Sequence, residues 1–101
     1  KIFTETCQID FNQPVEVINN LIRGLSPYPA AFTFLNRKKL KIFNARTILE
    51  KPAHQAGEVL TDGKTFLRFA AQDGYINVQT LQLEGKKKME ITDFLRGYRF
   101  H

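Results

Sequence analysis

The apolar residues in the first quarter of the chain are spaced as on one side of a helix. They fall at positions i, i+3, i+4 and i+7 and comprise Ile18, Leu21, Ile22 and Leu25. Asn12 or Gln13 can precede the first turn, and Pro14 suits its first position. Gly24 is a natural stop. The pattern therefore predicts an amphipathic helix over residues 14–23.

After Ala31 the apolar residues largely alternate with polar ones, which is typical of half-buried strands. The alternating residues are Phe32, Phe34, Leu40, Ile42, Ile48, Val59, Leu67, Phe69, Ile76, Val78, Leu81 and Leu83. Turn-forming residues separate these runs at 36–38, 52–54, 62–63 and 73–74, and Asp-Gly pairs are typical of tight hairpins. About five short antiparallel strands predict a small barrel, because an open sheet of that size leaves its edges unpaired.

A second, short helix is predicted near the C-terminus. Thr92 can cap it, the helix runs through Arg96, and Gly97 ends it. The predicted fold class is therefore mainly β: a small antiparallel barrel of the oligonucleotide-binding type, with an N-terminal helix and a short C-terminal helix. Such barrels hold nucleic acid on one sheet face and the adjoining loops.

Positive charge is concentrated in two segments of the chain. The net charge is +5 and the isoelectric point is about 9.6, which favours a polyanionic partner. Residues 36–51 carry six basic side chains against one acidic one, and residues 86–101 carry five against two. A localised anion-binding surface requires this kind of distribution.

The most basic stretch is the run Lys86, Lys87 and Lys88, which separates a predicted strand from the predicted second helix. A second group comprises Lys38, Lys39 and Lys41, and its neighbour Arg37. Lys39 and Lys41 share strand parity, so we expect them on one sheet face with Leu40 and Ile42 on the other. Either group could instead be a solvated loop or edge. A phosphate-tracking surface is the functional alternative.

Residues able to catalyse a reaction or bind a metal are sparse. Two histidines, His54 and His101, and one cysteine, Cys7, lack the spacing of a metal site or a nucleophile–base pair. No Gly-rich phosphate-binding loop occurs. We predict that the chain by itself is not an enzyme and binds no cofactor. The single cysteine and the short uncharged runs predict a cytoplasmic location without a membrane span.

Two long stretches resemble the C-terminal domain of methionyl-tRNA formyltransferase: FNQPVEVINNLIRGLSPYPAAFTFLNRKKLKIFNA at 11–45 and LQLEGKKKMEITDFLRGYR at 81–99. In that family the corresponding motifs resemble WNQPAE, IRGLSPWPGA, LKI and QxEGKKRM. Phe11 and Tyr28 stand where Trp is common, and Ala30 stands where Gly is common. The resemblance implies that residues 1–8 end an interdomain linker and that 9–101 form a C-terminal tRNA-binding barrel.

The resemblance implies a parent enzyme that transfers a formyl group from 10-formyltetrahydrofolate to the methionine of initiator methionyl-tRNA. Catalysis and the formyl donor would belong to an N-terminal domain outside this chain, which would leave the 101 residues inactive alone. The chain would bind tRNA phosphates as a monomer. The candidate tRNA-binding residues are Lys86, Lys87, Lys88, Lys38, Lys39, Lys41, Arg37 and Arg23.

Three alternatives stay open at this point. The chain could belong to another enzyme that uses the same formyl donor, such as a sugar-nucleotide formyltransferase or a formyltetrahydrofolate dehydrogenase. It could be a free-standing single-strand-binding barrel, which should expose aromatic rings on its sheet face. Here the aromatic positions mostly keep core parity. It could also be a structural lid whose lysines are incidental.

Overall fold

The computed structural model describes residues 7–98 of the chain. The predicted linker end therefore lies almost wholly outside the described residues, as does His101. In chain order the elements are α1 (Val15–Leu25), β1 (Ala31–Leu35), β2 (Lys38–Leu49), β3 (Val59–Thr61), β4 (Leu67–Ala70), β5 (Gly74–Leu83), β6 (Met89–Glu90) and α2 (Ile91–Gly97). Neither of the helices between residues 7 and 98 is long and apolar enough to cross a membrane.

The strands form one antiparallel sheet that curls around the core as a half-barrel. Its order is β1-β2-β5-β4-β3, and the two-residue strand β6 pairs with β5. The predicted mainly β class, with a helix before and a short helix after the strands, is confirmed. Within residues 7–98 the two end strands, β1 and β3, have no ladder between them, so the sheet stays open on that side.

Helix α1 begins one residue later and ends two residues later than predicted. Neither Asn12 nor Gln13 caps it; instead the backbone N–H of Val15 donates to Asp73 Oδ1 at 2.9 Å. The chain leaves the helix at Ser26, whose backbone is extended. The residue before a proline avoids helical angles, so Pro27 rather than Gly24 sets the end.

The buried face of α1 is centred on Val15, Ile18 and Ile22, which are at most 1% exposed. Leu21 and Leu25 were predicted to belong to this stripe, but they are only partly buried at its margin. The side chains on the inner face of the sheet complete the core. Its largest fully buried strand residues are Phe69, Leu40, Ile42, Leu67, Ile76, Leu81 and Leu83.

Helix α2 begins at Ile91, directly after β6. Thr92 therefore lies inside its first turn and does not cap the helix, contrary to the prediction. The predicted end at Gly97 is confirmed. Ile91, Phe94 and Leu95 are buried, which closes the core at the end of β5.

Candidate nucleic-acid interface

Lys39 and Lys41 project from the outer face of β2, as their parity predicted. Leu40 and Ile42 between and beside them are fully buried in the core. On the outer face, Lys39 lies opposite Phe34 of β1, and Lys41 lies between Phe32 of β1 and Gln82 of β5. The two ammonium groups therefore share one solvent-facing surface. The alternating period of β2 is sufficient to place them there.

The loop of residues 84–88 follows β5 and begins directly beside Lys39. The backbone N–H of Glu84 donates to the carbonyl of Lys39 at 2.8 Å, and the N–H of Lys39 donates to Glu84 Oε1 at 3.1 Å. This pair of hydrogen bonds joins the start of the lysine loop to the start of β2. The loop that carries the three lysines therefore starts beside the β2 lysines, while Lys87 and Lys88 toward its far end line a separate hollow with Glu90 and Asp93.

Two further hydrogen bonds shape this loop. The N–H of Lys86 donates to the carbonyl of Leu83 at 2.8 Å, and Gln82 Nε2 donates to the carbonyl of Lys86 at 2.9 Å. Gly85 has φ +86°, where an L side chain would be strained. Lys86, Lys87 and Lys88 are exposed beyond this turn. These hydrogen bonds tie the backbone of Lys86, the first of the three lysines, to the end of β5.

An open cleft of about 300 Å³ lies between β2 and the lysine loop. It is lined by Lys39, Lys41, Gln82, Leu83, Glu84 and Gly85. One wall therefore carries the two β2 lysines and the other the start of the loop. The positive charge at the cleft comes from the β2 wall, because the loop-side wall carries the Glu84 carboxylate.

Aromatic rings on the same face hold two of the lysines. The ammonium of Lys39 lies 4.3 Å from the ring centroid of Phe32, and that of Lys88 lies 4.6 Å from the centroid of Phe43. A cation above an aromatic face is attracted by the ring quadrupole. Phe43 thus links the end of the lysine loop to β2. We define the basic face as Lys39, Lys41, Lys86, Lys87 and Lys88.

The other predicted residues differ in position. Arg37 and Lys38 are exposed at the turn between β1 and β2, directly before Lys39 in the chain. The turn is anchored to the end of α2, because the Asn36 amide donates to the Tyr98 hydroxyl. Arg23 lies in the last turn of α1 and lines a different surface, together with Thr47 and Asp73. Arg23 is not brought to the basic face.

Sequence reasoning missed Gln82, Glu84 and Phe34 as residues of this surface. Gln82 carries the outward parity of β5, which could have been noticed, but its position next to Lys41 requires the pairing of β2 with β5. The prediction that aromatic side chains are mostly in the core holds for the described residues with two exposed exceptions. Phe34 is 51% exposed on the outer face, and Tyr28 in the preceding turn is 85% exposed.

His54 contacts a neighbouring side chain of the fold, and Cys7 lies in the interior. The hydroxyl of Tyr75 lies 3.3 Å from His54 Nδ1 and accepts a hydrogen bond from the N–H of Ala53. This contact fixes the loop between β2 and β3. Cys7 is buried. Between residues 7 and 98, no three His, Cys, Asp or Glu side chains are grouped so that they could hold a metal ion.

The chain with this fold matches one family of domains. The family model described as the formyl transferase C-terminal domain matches residues 1–99. The chain belongs to this family.

Individual relatives are methionyl-tRNA formyltransferases. The chain is 51% identical to that of Phocaeicola vulgatus over an alignment 104 positions long, which covers 98% of the chain and 32% of the relative. It is 47% identical to that of Bacteroides fragilis, covering 97% of the chain and 32% of the relative. For Syntrophus aciditrophicus the identity is 47%, covering 90% of the chain and 29% of the relative. The chain thus spans about a third of the length of the curated relatives it matches.

Solved structures of HypX from Aquifex aeolicus share the fold. One variant matches with a TM-score of 0.70 and 20% identity, over 98% of this chain and 19% of HypX. HypX in complex with tetrahydrofolic acid matches with a TM-score of 0.70 and 21% identity, over 96% of this chain and 18% of HypX. At this identity the likeness establishes the architecture alone.

Proposed function

We propose that the chain is the C-terminal domain of a methionyl-tRNA formyltransferase and binds initiator methionyl-tRNA through its phosphates. The single observation that supports binding most is that the lysine loop is hydrogen-bonded to Lys39, so the two basic segments lie on neighbouring strands. The names of the relatives, which contain methionyl-tRNA, favour RNA as the anionic partner. The formyl group would come from 10-formyltetrahydrofolate in an N-terminal catalytic domain of the longer protein.

Lysine is well suited to this task because its ammonium is a compact charge on a flexible stem. Each lysine that contacts a phosphate releases bound counterions, which supplies affinity without sequence selection. Phosphate contacts also fix the orientation of a nucleic acid on the protein. The domain would therefore hold the tRNA in place while another part of the enzyme acts on the aminoacyl end.

Another enzyme with the same formyl donor is the second candidate. The HypX likeness supports the shared fold of such domains without favouring a substrate. The relatives at 41% to 51% identity in Flavobacterium johnsoniae, Bacteroides fragilis and Phocaeicola vulgatus are all named for methionyl-tRNA, which favours the first candidate. Monomeric assembly, a cytoplasmic location and the inactivity of the isolated chain stay predictions.

Steady-state kinetics of the full-length enzyme test the proposal. Replacing Lys86, Lys87 and Lys88 together by Ala should raise KM for the tRNA, because up to three phosphate contacts are lost. The KM for the formyl donor should stay nearly unchanged. A Lys51→Ala/Lys64→Ala variant is the control, since both lysines are exposed outside the basic face. Equal tRNA KM values for the triple variant and the control would contradict the proposal.

A further inference from the structure

Phe34 is an exposed aromatic ring on an otherwise polar and basic surface. Its neighbour Leu35 is 4% exposed and faces the core, whereas Phe34 is 51% exposed and faces solvent. The ring is held edge-on against Phe32, with the centroids 5.7 Å apart and the planes at 89°. Leaving a large apolar ring in water is unfavourable. The contact with Phe32 sets the orientation of the Phe34 ring before any partner binds.

The ring lies beside two cations. Phe34 is paired directly with Lys39 across β1 and β2, and Lys41 is the next outward residue along β2. Adjacent strands are about 4.8 Å apart. The Lys39 ammonium is also held above Phe32, the ring that supports Phe34. An aromatic surface and two ammonium groups therefore occur within the span of neighbouring side chains.

We propose that Phe34 stacks on an unpaired base of a bound RNA strand, with the adjoining phosphates on Lys39 and Lys41. The inference rests on the proposed function and adds a subsite to it. Aromatic side chains stack with any base, because every base has a π face, and basic side chains then follow the backbone. A base inside a duplex cannot reach the ring, so the partner must be single-stranded at this point.

The positive charge beside Phe34 favours an RNA strand over an apolar protein surface as the partner. A protein that covered Phe34 would also cover Lys39 and Lys41 and would have to pair or desolvate both ammonium groups, which is costly. A nucleotide presents an apolar face and an anion together. It therefore matches both the ring and the lysines.

A fluorescence titration of the 101-residue chain tests this subsite, because the chain contains no Trp. In the Phe34→Trp variant, a single-stranded RNA oligonucleotide should quench the new fluorophore by stacking. An oligonucleotide of equal length and charge with abasic sites should bind through its phosphates but quench much less. The matched control is Leu49→Trp, which is 77% exposed at the other end of β2. That fluorophore should show little quenching with either ligand.

Affinity provides a second measurement. Phe34→Ala should weaken binding of the single strand by about fivefold or more, and Phe34→Tyr should restore it. The slope of log affinity against log salt should stay the same, since no cation is lost. Tight binding without quenching at position 34, or equal quenching by the abasic strand, would overturn the stacking site and leave the proposed function intact. No binding of any RNA to the unmodified chain at low salt would overturn the proposed function itself.

Discussion

Asp62 organises the connection between β3 and β4 through its carboxylate. It accepts hydrogen bonds from the side chain of Thr65 and from the backbone N–H groups of Thr65 and Lys64. These bonds, the side-chain bond first, hold the pKa of Asp62 well below its ordinary value of 3.8. Hydrogen bonds to the charged form favour that form.

The lowered pKa of Asp62 predicts how the stability of the turn depends on pH. The stability that the ionised Asp62 contributes is fully present above the unfolded-state pKa. It is lost progressively as the pH falls below about 4 toward the folded-state pKa. Urea unfolding of the wild type and of Asp62→Ala should therefore differ at neutral pH. The difference between their free energies of unfolding should decrease steadily as the pH falls below about 4. A difference that is constant from pH 7 to pH 2 would contradict this role.

Gly74 is required by space rather than by its backbone angles. A Cβ at this position would lie 1.9 Å from the carbonyl oxygen of Ile48, which belongs to the backbone of β2. Gly74→Ala should therefore lower the free energy of unfolding by about 1–3 kcal/mol or more, through overpacking. Gly24→Ala is the control: nothing lies within 4 Å, and Ala suits a helix better, so a gain of about 0.5–1 kcal/mol is expected. Chemical denaturation measures both, and a neutral Gly74→Ala would be the contrary result.

At the residue scale, parity was predictable and unusual backbone angles were not. The outward positions of Lys39 and Lys41 follow from the strand period alone. Ala30, in contrast, has φ 76°, a region that favours glycine. Nothing in the local residue pattern indicates this backbone angle.

Among the elements, α1 contributes one complete face to the core. Ile22 is fully buried, whereas Val17 on the same helix is 46% exposed. Ile22→Ala should lower the free energy of unfolding by about 2–5 kcal/mol, because it removes buried methyl groups and leaves a cavity. Val17→Ala should change it by no more than about 0.5 kcal/mol. Similar losses for both variants in thermal or urea unfolding would mean that α1 does not pack as described.

The elements themselves were largely predictable because hydrophobic periods are local. Their ends depend on distant residues. The cap of α1 comes from Asp73, 58 residues away from Val15, so no pattern around the helix could reveal it. Strand β6 has two residues and exists only because β5 lies beside it. The lysine loop likewise reaches Lys39 only through the pairing of β2 with β5.

Across the whole molecule, the proposed phosphate-binding surface combines two basic segments that are far apart in the chain. The sheet order brings them together, since β2 and β5 are neighbours although β3 and β4 separate them in the chain. Composition indicated an anionic partner, and the two charged segments indicated where to look. The geometry that joins them depends on long-range pairing, which no single stretch of the chain specifies.

The salt dependence of tRNA binding measures how many phosphates the proposed surface contacts. The wild-type chain is compared with a variant in which the five lysines of the basic face, Lys39, Lys41, Lys86, Lys87 and Lys88, are replaced by Ala. We expect the variant to bind more weakly and the slope of log affinity against log salt to flatten by roughly one unit per lost phosphate contact. A Lys51→Ala/Lys64→Ala variant should keep the wild-type slope. An unchanged slope in the five-lysine variant, with the fold intact, would show that these lysines do not contact tRNA phosphates.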